Sequence, residues 1–344
     1  MIIDLRSDTV TRPTPAMLEA MFSAKVGDDV FEEDPTVQEL EQKSAKLFGK
    51  EAALFCASGT MCNQLAINIL TLPLSEIICD KSSHIYYYEG GGFAFNSGCS
   101  IRMVSGDKGR ITAQDVLDNI NPDNVHMPIT TLVSLENTHN KGGGSIYSMQ
   151  AIKEISKVAR DNKLKLHLDG ARIFNALAET KDSTEEVGKH FDTISFCLSK
   201  GLGAPVGSML VSNQDKIKRA RRVRKVLGGG MRQAGYLAAA GIHALNHHVE
   251  RLKEDHLRAR ELGKALTSLT YIKEVFPVET NIVVFVLQDS VNADNFLHHL
   301  LANNVKAVPF GKNTIRFVTH LDITDDMIAK AIEVLKNWKP NNKN

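Results

Sequence analysis

Short apolar runs alternate with longer stretches of helical period along the first two-thirds of the chain. Positions 52–57, 76–79, 101–104, 131–135, 164–168, 193–198 and 208–211 are runs of four to six residues rich in Ile, Leu, Val, Phe and Cys. That is the length and texture of strands buried on both faces. Helices fit between most of them. Asp34-Pro35 supplies an N-cap and a first-turn proline, with Gly49 as the stop, and further helical patterns run through 61–70, 149–160 and 171–179. Strands alternating with helices predict an α/β fold, a mostly parallel sheet covered by helices on both faces.

Past Met231 the pattern changes. Long helical stretches at 233–247 and 249–269 precede strand candidates at 281–287 and 314–318, with helices at 293–302 and 325–338 around them. This predicts a small α+β domain packed on the larger one. The boundary is drawn at 248/249, so that residues 1–248 hold an N-terminal arm and the large domain, and 249–344 the small domain. The polar tail 339–344 is expected to fray.

Composition agrees with this layout and removes several classes. A length of 344 residues with 43% apolar and 24% charged positions suits two domains at roughly 100 to 200 residues each, and argues against disorder or a coiled coil. Forty-one basic against forty acidic residues leave a charge of +1, so no global field draws the chain to nucleic acid or lipid. Five scattered cysteines without a CxxC pair read as reduced core thiols. Asp4, Arg6 and Asp8 interrupt any secretory apolar run, and no eighteen apolar residues are contiguous. The expected compartment is the cytoplasm, and no membrane or nucleic-acid partner is expected.

The chemistry narrows by elimination. There is no GxxxxGK[ST] loop, HExxH helix or GxSxG elbow, and Gly201-Leu-Gly203-Ala-Pro-Val-Gly207 has the wrong spacing for a dinucleotide fingerprint. Asp169 ends one strand candidate and Lys200 follows the next, so both face the ligand crevice of an open α/β sheet. Alone, such a pair reads first as a salt bridge. Ala57-Ser58-Gly59-Thr60, between a strand and a helix, adds small residues and hydroxyls at a positive helix end, where a phosphate is stabilised. Together the three supply what pyridoxal phosphate requires: a phosphate cradle, a Schiff-base lysine and an acid for the pyridine nitrogen.

Several longer stretches carry a family resemblance. Asp4-Leu-Arg-Ser-Asp-Thr-Val-Thr-Arg-Pro13, Val26-Gly-Asp-Asp-Val30, Leu135-Glu-Asn-Thr-His-Asn140, Leu168-Asp-Gly-Ala-Arg-Ile-Phe-Asn175, Leu198-Ser-Lys-Gly-Leu-Gly203, Gly228-Gly-Gly-Met-Arg-Gln-Ala-Gly235 and Arg316-Phe-Val-Thr-His-Leu-Asp322 join Ala57-Ser-Gly-Thr60. In sequence and order they resemble the low-specificity L-threonine aldolases, from Asp4 to Asp322. The resemblance implies the fold-type I architecture of pyridoxal phosphate enzymes, with a seven-stranded, mostly parallel sheet and a small C-terminal domain. It implies a lyase that cleaves L-threonine or L-allo-threonine reversibly to glycine and acetaldehyde.

It also implies roles. Lys200 forms the Schiff base, Asp169 holds the pyridine nitrogen, and Ser58, Gly59 and Thr60 hold the phosphate. His84 stacks on the cofactor ring and helps take the β-hydroxyl proton, while His126 reaches the same hydroxyl. Ser7, Arg172 and Arg316 grip the substrate carboxylate, with Arg172 also near the cofactor. Phe31 stands where many members have tyrosine, which bears on side-chain preference. Lys225 and Arg232 reach the phosphate of a neighbouring subunit's cofactor, so the expected protein is a homo-oligomer, taken as a tetramer, with shared active sites. No residue is assigned to a metal.

The run 216–225 holds seven basic residues in ten, with Ile217, Ala220, Val223 and Val226 at three-residue spacing. It is expected to be an amphipathic helix with one face in the core rather than a nucleic-acid patch, since it lacks interleaved aromatics. The alternatives to the aldolase are another fold-type I pyridoxal phosphate enzyme (a β-eliminating lyase, an aminotransferase or a serine hydroxymethyltransferase-like enzyme) and a non-catalytic binding protein using the basic helix.

Overall fold

The computed structural model describes residues 2–340. A two-residue strand, β1 (Ile3–Asp4), is followed by seven strands of one sheet: β2 (Ala52–Cys56), β3 (Ser75–Asp80), β4 (Ser100–Val104), β5 (Ile129–Glu136), β6 (Lys165–Asp169), β7 (Thr193–Cys197) and β8 (Ser208–Ser212). The sheet order is β2-β8-β7-β6-β5-β3-β4, and β8 alone runs antiparallel to its neighbours. Every residue of β3, β7 and β8 is buried, as continuous apolar runs covered on both faces require. All seven strands stand where the pattern put them, with ends moved by a residue or two.

The connecting helices follow their caps. Asp34 accepts from the N–H groups of Thr36 and Val37 to start Pro35–Leu47, and Gly49, at φ 59°, takes the left-handed turn beyond it. Gly59–Leu70 begins two residues earlier than expected, because the Ser58 hydroxyl caps the Met61 N–H. Ile173–Thr180 begins two residues later, because the Asp169 side chain holds the Ala171 N–H in a turn.

Beyond residue 231, helices Gly235–His247 and Leu252–Thr267 lead to β9 (Ile272–Val275), β10 (Ile282–Leu287), β11 (Val305–Lys306), β12 (Val308–Gly311) and β13 (Thr314–Val318). Four of these form an antiparallel sheet in the order β12-β13-β10-β9, with helices Ala293–Ala302 and Asp325–Asn337 alongside. The edge strands β9 and β12 are short and half-exposed, and β12 contains Pro309, so neither carries a strand's apolar run. β11 pairs in parallel with β1. Ile3 and Leu5 thereby join the apolar cluster of Leu262, Phe285, Phe296, Phe317 and Val334.

The basic helix spans Gln214–Val226 and departs from its expected face. Ile217 and Ala220 are buried, Val223 is half-buried, and Val226 is 85% exposed. Arg224 is buried instead, donating to Asp29 (2.7 Å) and to the Phe55 carbonyl (2.6 Å). All five cysteines are buried and unpaired. Among the described residues no helix is long and apolar enough to cross a membrane. Of the tail expected to fray, 341–344 lie outside the described residues.

Candidate active site

Parallel strands deliver their carboxyl ends to one edge of the sheet. In spatial order that edge carries Ser58-Gly59-Thr60 after β2, Lys200 after β7, and then Asp169, Glu136 and Asp80 at the ends of β6, β5 and β3.

Asp169 is buried. Its Oδ2 accepts from Asn63 Nδ2 (2.8 Å) and its Oδ1 from the Ala171 N–H (3.1 Å). Burial pushes its pKa up, but His84, Lys200 and the Asn63 hydrogen bond outweigh that and hold it below the ordinary carboxylate range. Its other neighbour, His167, is itself driven down to about 4 by burial, so near neutral pH it acts as a hydrogen-bonding group and not as a charge. His167 reaches Asn63 Oδ1 (3.1 Å) and Thr193 Oγ1 (2.8 Å), and Ser195 also donates to Asn63 Oδ1 (2.7 Å).

Lys200 is half-buried, and its amine makes no hydrogen bond or ion pair with any described residue. The salt-bridge interpretation of the Asp169/Lys200 pair therefore fails. The lysine sits on a pinned loop: its carbonyl accepts the Gly203 N–H (2.8 Å), and the Leu202 carbonyl accepts from His248 Nδ1 (2.7 Å).

His84 is half-buried at the first position of the short helix His84–Tyr87. Its backbone N–H donates to Glu136 Oε2 (2.7 Å) and its Nδ1 meets Glu89 Oε1 (2.8 Å). A carboxylate only accepts, so Nδ1 carries the proton and the neutral ring keeps Nε2 as its basic edge. Burial works to lower the His84 pKa, but the Glu89 hydrogen bond and the charges of Asp169, Glu136 and Glu89 raise it above the ordinary value. Glu89 is buried and accepts also from Asn63 Nδ2 (2.8 Å) and Gln64 Nε2 (2.7 Å). Ligand-type atoms of His84, Glu89 and Asp169 lie within 4.8 Å of one another, and Asn63 ties the two carboxylates together.

The guanidinium groups differ from expectation. Arg172 is buried, and its Nε and Nη2 donate to Asp8 Oδ2 and Oδ1 at 2.7 Å each. It is thus already gripped by an internal carboxylate, with Nη1 left as its uncommitted edge. Burial would raise the Asp8 pKa, yet Arg172, Lys200 and Arg316 drive it far below its usual value. Among the described residues Arg316 has no acid partner. Its Nη1 donates to Asn140 Oδ1 (2.8 Å), its Nη2 to the Arg6 carbonyl (3.0 Å), its Nε is unpartnered, and it lies 4.8 Å from the Phe310 ring centroid. Burial first, and then the charge of Arg172, push its pKa down to about 10. Such a cation favours an incoming anion. Half-buried Ser7 accepts from the Thr9 N–H (3.2 Å) and lies 3.5 Å from Asp8 Oδ1.

At the start of Gly59–Leu70, exposed Ser58 and half-buried Thr60 present hydroxyls beside first-turn N–H groups that have no helical acceptor. A Cβ on Gly59 would lie 2.8 Å from Cys197 Sγ, so glycine is what lets the helix end approach β7.

Four expected site residues, His126, Lys225, Arg232 and Phe31, are exposed and make no hydrogen bond or ion pair with Lys200 or Asp169 among the described residues. His126 is exposed in the loop before β5, whose eight residues at roughly 3.3 Å each place its start about 23 Å from Glu136. Lys225 is exposed at the end of Gln214–Val226. Arg232 is exposed, donates to Asp28 (2.9 Å), and stacks 6.0 Å from the ring of Phe31, itself 69% exposed. Conversely, the expectations omitted Asn63, Glu89 and Asp8. Asn63-Gln64 inside a mostly apolar helical run was the available signal, since buried amides require partners.

The fold and site together define the class, a pyridoxal phosphate-dependent lyase: residues 4–290 match the family described as beta-eliminating lyase. The low specificity L-threonine aldolase of Escherichia coli (strain K12) is 43% identical over 98% of each chain. Low-specificity L-threonine aldolase 1 of Arabidopsis thaliana is 40% identical over 94% of this chain and 92% of its own. A Leishmania major threonine aldolase structure superposes with a TM-score of 0.84 over 97% of this chain and 98% of that one, at 21% identity, a likeness of fold. The chain belongs to the low-specificity L-threonine aldolases within the beta-eliminating lyase family.

Proposed function

We propose that this chain binds pyridoxal phosphate at the β2/β7/β6 edge and cleaves L-threonine and L-allo-threonine to glycine and acetaldehyde, reversibly. The carrying observation is Lys200, an amine with no described partner, near an ionised Asp169 that accepts one hydrogen bond at each oxygen. The donor set fits the cofactor: free first-turn N–H groups and hydroxyls for its phosphate, the amine for its aldehyde carbon, and the buried carboxylate for its ring nitrogen. When bound, the cofactor supplies the electron sink for the pair left on Cα as the Cα–Cβ bond breaks.

The chain's own residues do the remaining work. Lys200 holds the cofactor through Nζ. Asp169 keeps the ring nitrogen protonated, and Asn63 keeps Asp169 in place. His84 takes the β-hydroxyl proton at Nε2, because Glu89 occupies Nδ1. Arg316 grips the substrate carboxylate, with Ser7 and the Nη1 edge of Arg172 beside it. Which bond breaks follows from this grip, since only a bond perpendicular to the cofactor ring overlaps its π system. Phe31 leaves the substrate side without a phenolic hydroxyl.

His126, Lys225 and Arg232 act across a subunit boundary, which is why they lie on the surface of a single chain. The protein is accordingly a homo-oligomer, a tetramer, whose isolated subunit lacks a complete site. Buried, unpaired cysteines suit a reducing compartment, and we assign the chain to the cytoplasm. We keep the division at 248/249, with one addition: β1 of the arm pairs with β11 of the small domain.

Incubation with L-allo-threonine tests the activity. Acetaldehyde and glycine in equal amounts are expected, whereas pyruvate, 2-oxobutyrate or a folate requirement would refute it. Lys200→Ala should abolish turnover together with the visible absorption band of the bound cofactor.

A further inference from the structure

The segment Leu135-Glu-Asn-Thr-His-Asn140 carries none of the roles assigned above, yet Glu136, Asn137, Thr138, His139 and Asn140 are all buried. Five consecutive polar residues withdrawn from water are unfavourable unless their polar atoms find partners. Those partners show what the segment does. Glu136 Oε2 accepts the backbone N–H of His84 (2.7 Å), and Oε1 accepts the N–H of Asn140 (2.8 Å). Asn140 Oδ1 then accepts from Arg316 Nη1 (2.8 Å). One carboxylate and one amide thus link a residue of the large sheet's edge to an arginine on the small sheet.

The link is braced. The Gly142 N–H donates to His139 Nδ1 (3.0 Å), which leaves the ring proton on Nε2. That Nε2 lies 3.7 Å from both Glu136 Oε2 and Asp80 Oδ1, and has no hydrogen-bond partner among the described residues. It faces the two carboxylates and holds the Glu136 side chain between His84 and Asn140. Gly109, at φ 86°, leaves room for the ring: a Cβ there would lie 2.2 Å from His139 Cγ.

We propose that Glu136 and Asn140 are positioning residues that set the spacing between His84 and Arg316, and through it the preference for breaking the Cα–Cβ bond. The proposal rests on the assignment of His84 as base and Arg316 as carboxylate grip. Cleavage makes two demands at once: the carboxylate must be held so that Cα–Cβ stands perpendicular to the ring, and the hydroxyl must meet Nε2. Exchange of a glycine Cα proton makes no demand on a β-hydroxyl. Loosening the spacing therefore harms cleavage more than exchange, whereas general damage to the fold harms both and weakens cofactor binding.

The test uses the holoenzyme and its Asn140→Ala, Asn140→Asp and Glu136→Gln variants. Three quantities are measured: kcat and KM for L-allo-threonine, the rate of glycine Cα–H exchange in D2O by proton NMR, and the dissociation constant for pyridoxal phosphate. Losing a hydrogen bond to a charged group is worth about ten- to a hundredfold. Asn140→Ala is expected to lower kcat/KM for cleavage by about tenfold or more, through a raised KM and a lowered kcat, with exchange at saturating glycine and cofactor affinity changed less than about threefold. Asn140→Asp keeps the acceptor but gives Arg316 an acid partner that opposes the substrate carboxylate, so KM should stay raised. Glu136→Gln should lower kcat and the cleavage-to-exchange ratio together, and if it does not fold the two Asn140 variants decide the matter alone. Equal losses in cleavage and exchange, or no loss in either, would overturn the proposal. Arg316→Lys separates the layers: unchanged KM there overturns the assignment of Arg316 itself, while raised KM there with unchanged KM in Asn140→Ala overturns only the link.

Discussion

Replacing Asp8 with asparagine would expose how strongly the N-terminal arm is bound to the site. Asp8 is fully buried and Arg172 nearly so, joined by two hydrogen bonds of 2.7 Å, with Asn281 Nδ2 at 3.4 Å as a weaker third contact. Solvent screening is absent, so the substitution falls in the range for leaving a buried charge unpaired, about 3 to 5 kcal/mol. With an unfolding entropy of about 2.1 cal/mol/K per residue across the chain, Tm should fall by about 4 to 7 °C. The assay is thermal and urea unfolding of wild type and Asp8→Asn at one fixed cofactor concentration. The pH dependence has a definite sign. The folded Asp8 pKa lies below its unfolded value of about 3.9. Its contribution is therefore complete above that value, and the gap between wild type and variant should stay constant from pH 5 to 8 and narrow only in acid. Arg172→Met added to Asp8→Asn removes both charges and should recover much of the loss. A difference below about 1 kcal/mol, the range of exposed ion pairs, would refute the desolvated pair.

Three further outcomes follow from the geometry. The acid limb of kcat should fall with an inflection above the ordinary imidazole value of about 6.5, because Glu89, Asp169 and Glu136 raise the His84 pKa against burial; Glu89→Gln should move that limb to lower pH, and an unmoved limb would disprove His84 as the titrating base. Asp169→Asn should keep the cofactor's visible absorption but lower acetaldehyde production by about a hundredfold or more, and retention of full activity would remove Asp169 from the mechanism. Gly59→Ala, forced to within 2.8 Å of Cys197 Sγ, should weaken cofactor binding by about tenfold in an absorbance titration; Cys197→Ala in the same chain should restore it, and a lack of rescue would show that the contact is not what limits binding.

The large sheet was legible because strands buried on both faces leave continuous apolar runs, and its carboxyl ends put Ser58, Asp169 and Lys200 on one edge by topology alone. The small sheet was legible only in its centre, β10 and β13, since β9 and β12 are short edges with little apolar content. The site was harder to read where it depends on long-range choice of partner. Asp8 and Arg172 are 164 positions apart, and nothing local marks a carboxylate in the arm as the ligand of that guanidinium. Arg224 was misplaced for the same reason: spacing put Val226 in the core, whereas the buried Asp29 carboxylate draws the guanidinium inward. His126 illustrates another limit, because likeness to a family identifies a residue without showing where the fold puts it.

The pairing of β1 with β11 imposes an order on biosynthesis. Ile3 and Asp4 leave the ribosome early, but their partners Val305 and Lys306 are made about 300 residues later, a wait of roughly 15 to 60 s at 5 to 20 residues per second. During that interval Leu5 has no cluster to enter, and the Arg6 carbonyl has not met Arg316. The large sheet can form while translation continues, but the substrate end of the site cannot. A chain ended before residue 305 would therefore carry every strand of the large sheet but lack both Arg316 and the partner of β1.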